Sequence, residues 1–318
     1  MSAPTIIRHI HLPGITPFSL AQSFQQRLVR QFLEHKALIS SPSPPSPLPP
    51  PPDPTILTFT PTPVYTLGRR EHGTLTHSQR SLLKSPLYPL SPKSGKEIKN
   101  SNKDEPEYAE IVETQRGGQT TFHGPGQLVV YPILDLQSSF PKFPKGLSVR
   151  CYVHLLESTT IATLERWSIK GARTENPGVW EEIGERKIAA LGVHLRRSVT
   201  SYGVGLNVQT DLRWFDRIVA CGLVGKGVTS MMALEEERGF SGIEKFNKEK
   251  PDVWELHAQN NKSAMGPDLV GLQWVEEFAK GLYGEYIEAN VPLQIGFHKE
   301  RDMLELQDHH RDMAVRAI

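Results

Sequence analysis

Leu20, Phe24, Leu28, Val29, Phe32 and Leu33 recur every three or four positions. That spacing places apolar side chains on one face of a helix and predicts one over 19–36, with Ser19 and Gln22 set as in a capping box. Short runs rich in β-branched and aromatic residues predict strands: TIIRHIHL near the start, ILTFT and VYTLG at about 56–68, AEIVET at 109–114 and LVVYPILDL at 128–136. KIAALGVHL at 187–195 and SYGVGLNV at 201–208 read the same way, and longer helices are predicted over about 148–166 and 271–287. Strands fall in neighbouring groups between isolated helices, so the pattern predicts an α+β fold with a mixed β-sheet and packed helices rather than a regular βαβ winding. No internal repeat is seen.

Three stretches break the pattern. SPSPPSPLPPPPDP at 41–54 is dominated by proline, which removes backbone donors and favours an extended surface spacer. The segments 85–107 and 239–268 are polar, charged and without apolar periodicity. All three are expected to be insertions in one domain spanning 1–288, followed by a C-terminal extension at 289–318.

The 318 residues carry 36 Lys and Arg against 35 Asp and Glu, a formal charge of +1, so no global field draws in nucleic acid. No stretch approaches the roughly 20 apolar residues of a membrane span. Cys151 and Cys221 form no close pair, which leaves a disulfide framework or zinc site without support and suits free thiols in a reducing compartment. The first 33 residues hold Arg8, Arg27 and Arg30 but no acid, a mild likeness to a mitochondrial import segment that competes with the first core helix.

RGGQTTFHGPGQLVVY at 116–131 leads four glycines into an apolar run. It has neither the GxxxxGK[ST] order of a P-loop nor the GxGxxG of a dinucleotide site. By composition, Gly117, Gly118, Gly124 and Gly126 could serve tight turns alone. Arg116 and His123 add a charged donor and a titratable ring to a bare backbone, which suits recognition of a carbonyl, a phosphate or a thioester tail. Lys187 opens one apolar strand and Cys221 ends another apolar run; singly, the first reads as a surface charge and the second as a small core residue.

Together the blocks are specific. RGGQTTFHGPGQLVVYPILDL, NPGVWEEIGERKIAALGVHLRR, SYGVGLNV and ACGLVGKGVTSM resemble, in order, the signature blocks of the lipoate-protein ligase B family, the octanoyl-[acyl-carrier-protein]:protein octanoyltransferases. PVYTLGRR at 63–70 is similar to the block that precedes them. The resemblance implies the catalytic-domain fold of biotin and lipoate protein ligases. It also implies that Cys221 is the nucleophile forming an acyl-thioester and that Lys187 lowers its pKa and moves protons. Arg116, Gly117, Gly118, Gln119, Thr120, Thr121, Phe122 and His123 would line the acyl site, with Ala190, Leu191, Gly192, Gly203, Val204 and Gly205 completing its wall.

Implied partners are octanoyl-acyl-carrier protein as donor, and as acceptors the lipoyl domains of 2-oxoacid dehydrogenase E2 subunits and the glycine cleavage H protein; neither cofactor nor metal is implied. The insertions, absent from the compact bacterial pattern, suggest a eukaryotic, fungal-type mitochondrial version. Where many members carry histidine, Tyr202 stands here, and a phenol does not titrate near neutrality. Backbone N–H groups near Gly222 and in the glycine-rich loop would steady the oxyanion. Competing readings are an ATP-dependent lipoate or biotin ligase, which needs no nucleophilic cysteine, and a non-catalytic module that binds acyl-carrier protein. Cys151 is expected to pack in the core, and His194 to be exposed or hydrogen-bonded rather than catalytic.

Overall fold

The computed structural model describes residues 7–89, 97, 105–218, 225–239, 265–284 and 295–296. The main sheet contains β1 (Arg8–Thr16), β2 (Thr55–Pro61), β6 (Gln127–Ile133), β7 (Gly171–Ala172), β8 (Val179–Glu181), β9 (Arg186–Arg196), β10 (Val199–Asn207), β11 (Gly227–Val228) and β12 (Ile295–Gly296). Its order is β12-β1-β2-β6-β10-β9-β8-β7, with β11 added beside β9. β1 runs parallel to β2 and β12, while β2, β6, β10 and β9 pair antiparallel, so the sheet is mixed, as the strand grouping implied. A smaller sheet holds β4 (Glu110–Glu113), β3 (Val64–Leu67) and β5 (Thr121–His123) in that order.

Alternation along β6 explains its unbroken apolar run. Leu128 and Val130 join the cluster under α3 (Val149–Glu165) and α5 (Pro267–Tyr283), whereas Val129, Tyr131 and Ile133 join the cluster under α1 (Phe18–Ile39). A strand whose two faces are both covered needs apolar residues at every position. Phe18, Phe24 and Phe32 anchor α1, and Leu155, Leu156, Trp274 and Phe278 anchor α3 and α5. A third cluster, with Tyr65, Phe122, Trp214 and Phe215, lies against the small sheet.

The helices match the periodicity, with differences at their ends. α1 starts after Pro17 without a side-chain cap, and Ser19 lies inside it, accepting at its carbonyl from Ser23 Oγ; the capping box expected of Ser19 and Gln22 does not form. Proline fixes the entry backbone there instead. A capping box does form at Thr76 and Gln79, opening α2 (His77–Leu83). Ser148 caps α3, and Ser230 caps α4 (Met231–Glu237). α5 begins at Pro267, four residues before the expected start, and ends at Gly284, where φ is +89°. Cys151 is exposed on the first turn of α3 rather than packed, because the buried stripe of that helix runs through Tyr152, Leu155 and Leu156.

The proline-rich segment crosses the surface without helix or strand between α1 and β2. Of the second expected insertion, 90–96 and 98–104 lie outside the described residues, as do 240–264 of the third and most of 289–318. No helix of the described residues is long and apolar enough to cross a membrane.

Candidate active site

β9 and β10 form a hairpin whose middle is nearly bare: Gly203 faces Gly192, Val204 faces Leu191 and Gly205 faces Ala190. This leaves a floor on which the loop from Arg116 lies. Gly117 N donates to Val193 O at 3.0 Å, and a Cβ on Gly192 would sit 2.9 Å from Arg116 Cδ and 3.1 Å from Gly117 O. On the neighbouring strand a Cβ on Gly203 would meet Val130 O at 2.3 Å, so β6 and β10 approach too closely for any larger residue. The space left above the floor is a cleft of about 500 Å³.

Most of the predicted residues meet there. Arg116, Gly117, Gly118, Gln119, Thr121 and His123 line the cleft from the loop and β5; Lys187, Ala190, Leu191, Gly192, Gly203, Val204 and Gly205 line it from the hairpin. Two do not. β5 alternates, so Thr121 and His123 point to the cleft while Phe122 turns into the third cluster, stacked on Trp214 with ring centres 5.0 Å apart. Thr120 gives both its backbone N–H and its hydroxyl to Glu71 Oε2, tying the loop to the short turn after β3.

Arg116 is buried and bound to its own loop. Its guanidinium donates to the carbonyls of Gly117 (3.1 Å) and Gln119 (2.9 Å), to Thr66 O (2.5 Å) and twice to Thr66 Oγ1 (3.2 and 2.7 Å). Five such bonds engage a five-donor group in shaping the glycine-rich loop. The guanidinium read from sequence as a polar anchor for substrate thus also binds the protein's own oxygens while it lines the cleft.

His123 is buried, stacked beside Phe18, and paired through Nδ1 with Gln127 Oε1 at 2.6 Å. Burial, then the charge of Arg116, push its pKa down to about 4, against the opposing effect of the Gln127 contact. Gln127 in turn donates to Phe122 O (3.2 Å) and Asn207 Oδ1 (2.8 Å), and Asn207 donates to Thr229 O (3.0 Å).

Lys187, on β9, is buried and lines the same cleft. Its Nζ donates to Pro177 O at 2.9 Å and stands 4.7 Å from the centre of the Trp180 ring. Gly178, at φ +124°, makes room for the lysine stem: a Cβ there would fall 3.2 Å from Lys187 Cε and 2.7 Å from Ala189 O. Glu157 of α3 fixes this turn by accepting from Gly178 N at 3.1 Å.

Cys221 and Gly222 lie outside the described residues, within 219–224. The chain leaving that segment adds β11 to β9, with Val228 opposite Lys187 and Thr229 N donating to Lys187 O at 3.0 Å. Tyr202 also lines the cleft. It holds φ +58°, receives the Gln115 N–H on its hydroxyl at 3.3 Å and packs edge-on against Tyr131, so the phenol fastens the start of the glycine-rich loop. Burial and the charges of Arg69 and Arg196 lower the pKa of the half-buried His194. Among the described residues no three His, Cys, Asp or Glu side chains gather as a metal would need.

The lipoyl protein ligase A/B catalytic domain model matches residues 46–241, which takes in every cleft residue named above. The chain belongs to that family. A probable octanoyltransferase of Schizosaccharomyces pombe is 43% identical over 210 residues, covering 65% of this chain and 77% of the relative. The mitochondrial octanoyl-[acyl-carrier-protein]:protein N-octanoyltransferase LIPT2 of Danio rerio is 38% identical over 225 residues, covering 71% and 81%. Among solved structures, lipoate-protein ligase A bound with ATP superposes with a TM-score of 0.52 at 11% identity, over 97% of this chain and 94% of the other. LipL1 of P. falciparum in complex with lipoate gives 0.50 at 9%, over 92% and 66%. At those identities the superpositions establish the fold: the family's mixed sheet with helices packed on it.

Within this family fold, Asn176, Pro177, Trp180 and Tyr131 join the cleft or hold Lys187 without having been singled out from sequence. Asn176, Pro177 and Trp180 sit inside the NPGVW block, where a proline-glycine turn before a strand was the available signal. Tyr131 carried none beyond β-propensity.

Proposed function

We propose that the chain carries an octanoyl group from acyl-carrier protein to a lysine amine of a lipoyl domain through a thioester on Cys221, with Lys187 as acid and base. Octanoyl transfer is the activity in the names of relatives that share most of its length. What carries the proposal is the position of Lys187: an amine at the wall of a cleft floored by glycines, hydrogen-bonded by backbone to the strand that emerges from the Cys221 segment.

A free thiol of pKa near 8.5 is a few per cent ionised at pH 7, and an adjacent ammonium favours its thiolate. The Cys221 thiolate attacks the thioester carbonyl; the C–S bond to pantetheine breaks, and the departing sulfur takes a proton from the Lys187 ammonium. The acceptor amine then attacks the new thioester, a C–N bond forms, the bond to Cys221 breaks, and the amine's proton passes to the neutral Lys187. Both groups return to their starting states, which predicts ping-pong kinetics.

The acyl chain would lie along the bare hairpin between Val153, Leu191, Val193 and Val204. At about 0.8 kcal/mol per methylene, neighbouring chain lengths differ about fourfold per carbon in binding. Acceptors would be the lipoyl domains of 2-oxoacid dehydrogenases and the glycine cleavage carrier, and the mitochondrial relatives support action in that compartment. The test is single-turnover transfer from octanoyl-acyl-carrier protein with no ATP present. Wild type is expected to transfer and Cys221→Ser and Lys187→Ala to fail; full transfer by Cys221→Ser, or a requirement for ATP and free octanoate, would overturn the proposal.

A further inference from the structure

We propose that His123 is locked as its Nδ1–H tautomer, so that Nε2 faces the cleft as a one-way acceptor for an N–H of the substrate. The direction of every bond in its network follows from backbone carbonyls, which only accept. Thr229 O lies 3.0 Å from Asn207 Nδ2, which fixes the amide of Asn207 with its oxygen toward Gln127. That oxygen and Phe122 O take both N–H groups of Gln127, at 2.8 and 3.2 Å. Gln127 Oε1 is therefore what remains to face His123 Nδ1, at 2.6 Å, and an oxygen there requires Nδ1 to carry the proton. A neutral ring protonated at Nδ1 has a bare lone pair at Nε2. No described protein group meets Nε2, and the ring lines the cleft among the glycines.

The ring is held rigidly as well as in one tautomer. Phe18 lies parallel to it at 6.3 Å between ring centres, and a Cβ on Gly205 would fall 3.1 and 3.2 Å from its Cε1 and Nδ1. The acceptor is also wired to the strand that carries Lys187, because Thr229, which anchors the far end of the network, donates its own N–H to Lys187 O. An acceptor that never becomes a donor selects an N–H and rejects a carbonyl or phosphate oxygen. Resting on octanoyl transfer as the reaction, two substrate groups have that chemistry: an amide N–H of the pantetheine arm and the amine of the acceptor lysine.

The test has two parts. In full-length chain labelled with ¹⁵N-histidine, long-range ¹⁵N–¹H correlations should show His123 protonated at Nδ1 and bare at Nε2, with the resonance assigned by its loss in His123→Asn. Nε2–H overturns the proposal, and this readout needs no turnover, so it fails independently of the transfer reaction. In half-reactions, His123→Leu should lose about tenfold in one step, the scale of one hydrogen bond. If the arm is the donor, wild type slows about tenfold when an ester oxygen replaces the arm's amide N–H, while His123→Leu treats both substrates alike. If the amine is the donor, acyl-enzyme formation is unchanged and transfer from preformed octanoyl-enzyme slows. His123→Gln, which keeps an acceptor near Nε2, should recover part of the loss. Wild-type rates for His123→Leu in both steps, or an equal loss on amide and ester substrates with normal second-step transfer, overturn the proposal.

Discussion

Lys187, His123 and the hairpin glycines each hold a place that other residue types would spoil. Lys187→Met keeps the length of the side chain over Trp180 but removes its charge and proton, and transfer should fall by about 10²–10⁴-fold, the range of a lost acid-base group. Stability of the variant, followed by urea unfolding, should change little by comparison. Gly203→Ala acts the other way. Its Cβ would meet a backbone oxygen at 2.3 Å, so β6 and β10 must part, and about 1–3 kcal/mol of stability should be lost, read as a lower urea midpoint. Arg116 teaches a related point at this scale: the charge that stood out in the sequence is bound by Thr66 and two loop carbonyls, contacts that no local spacing reveals.

Among elements, the β9–β10 hairpin contributes the floor of the cleft, and its turn is made of Arg197 and Ser198 at φ +50° and +67°. Two consecutive left-handed residues suit the right-handed twist of a tight hairpin, but the usual signal is Asn-Gly. That is why the sequence indicated two strands and left their connection unmarked. Ser198→Gly relieves a Cβ in the left-handed region and should raise stability by about 0.5 kcal/mol, after offset by glycine's greater entropy in the unfolded chain. Transfer rate should stay unchanged, since the turn lies at the far end of the hairpin from Ala190 and Gly205. α2 and α4, of seven residues each, were not legible: two turns are too short for apolar periodicity to show. α1, α3 and α5 were legible because each lays a long stripe on the sheet.

Across the whole molecule, two histidines are buried, His9 on β1 of the main sheet and His123 on β5 of the small one, and both stay neutral near pH 7. His9, held by Thr58 Oγ1 at 2.7 Å, has its pKa pushed down to about 3 by burial and then by His11; His123 lies at about 4. In the unfolded chain both bind a proton near pH 6.5. Unfolding therefore takes up protons between that pH and about 4, and stability should fall as pH is lowered through the window. Urea midpoints measured from pH 7 to 4 should show this slope, and His9→Gln should reduce it by about one proton.

At the same scale, the mixed sheet followed from the grouping of strands between helices, and three distant sequence blocks, read together from their order and resemblance, line one cleft. The network from His123 to Thr229 did not, because its links join residues four, 80 and 22 positions apart. Intact-mass analysis after mixing the chain with octanoyl-acyl-carrier protein, followed by peptide mapping, tests the central claim most directly. The prediction is one octanoyl group on the peptide holding Cys221, released by hydroxylamine and passed to an added lipoyl domain. Octanoylation of that domain with no acyl-enzyme ever trapped, and undiminished in Cys221→Ser, would contradict it.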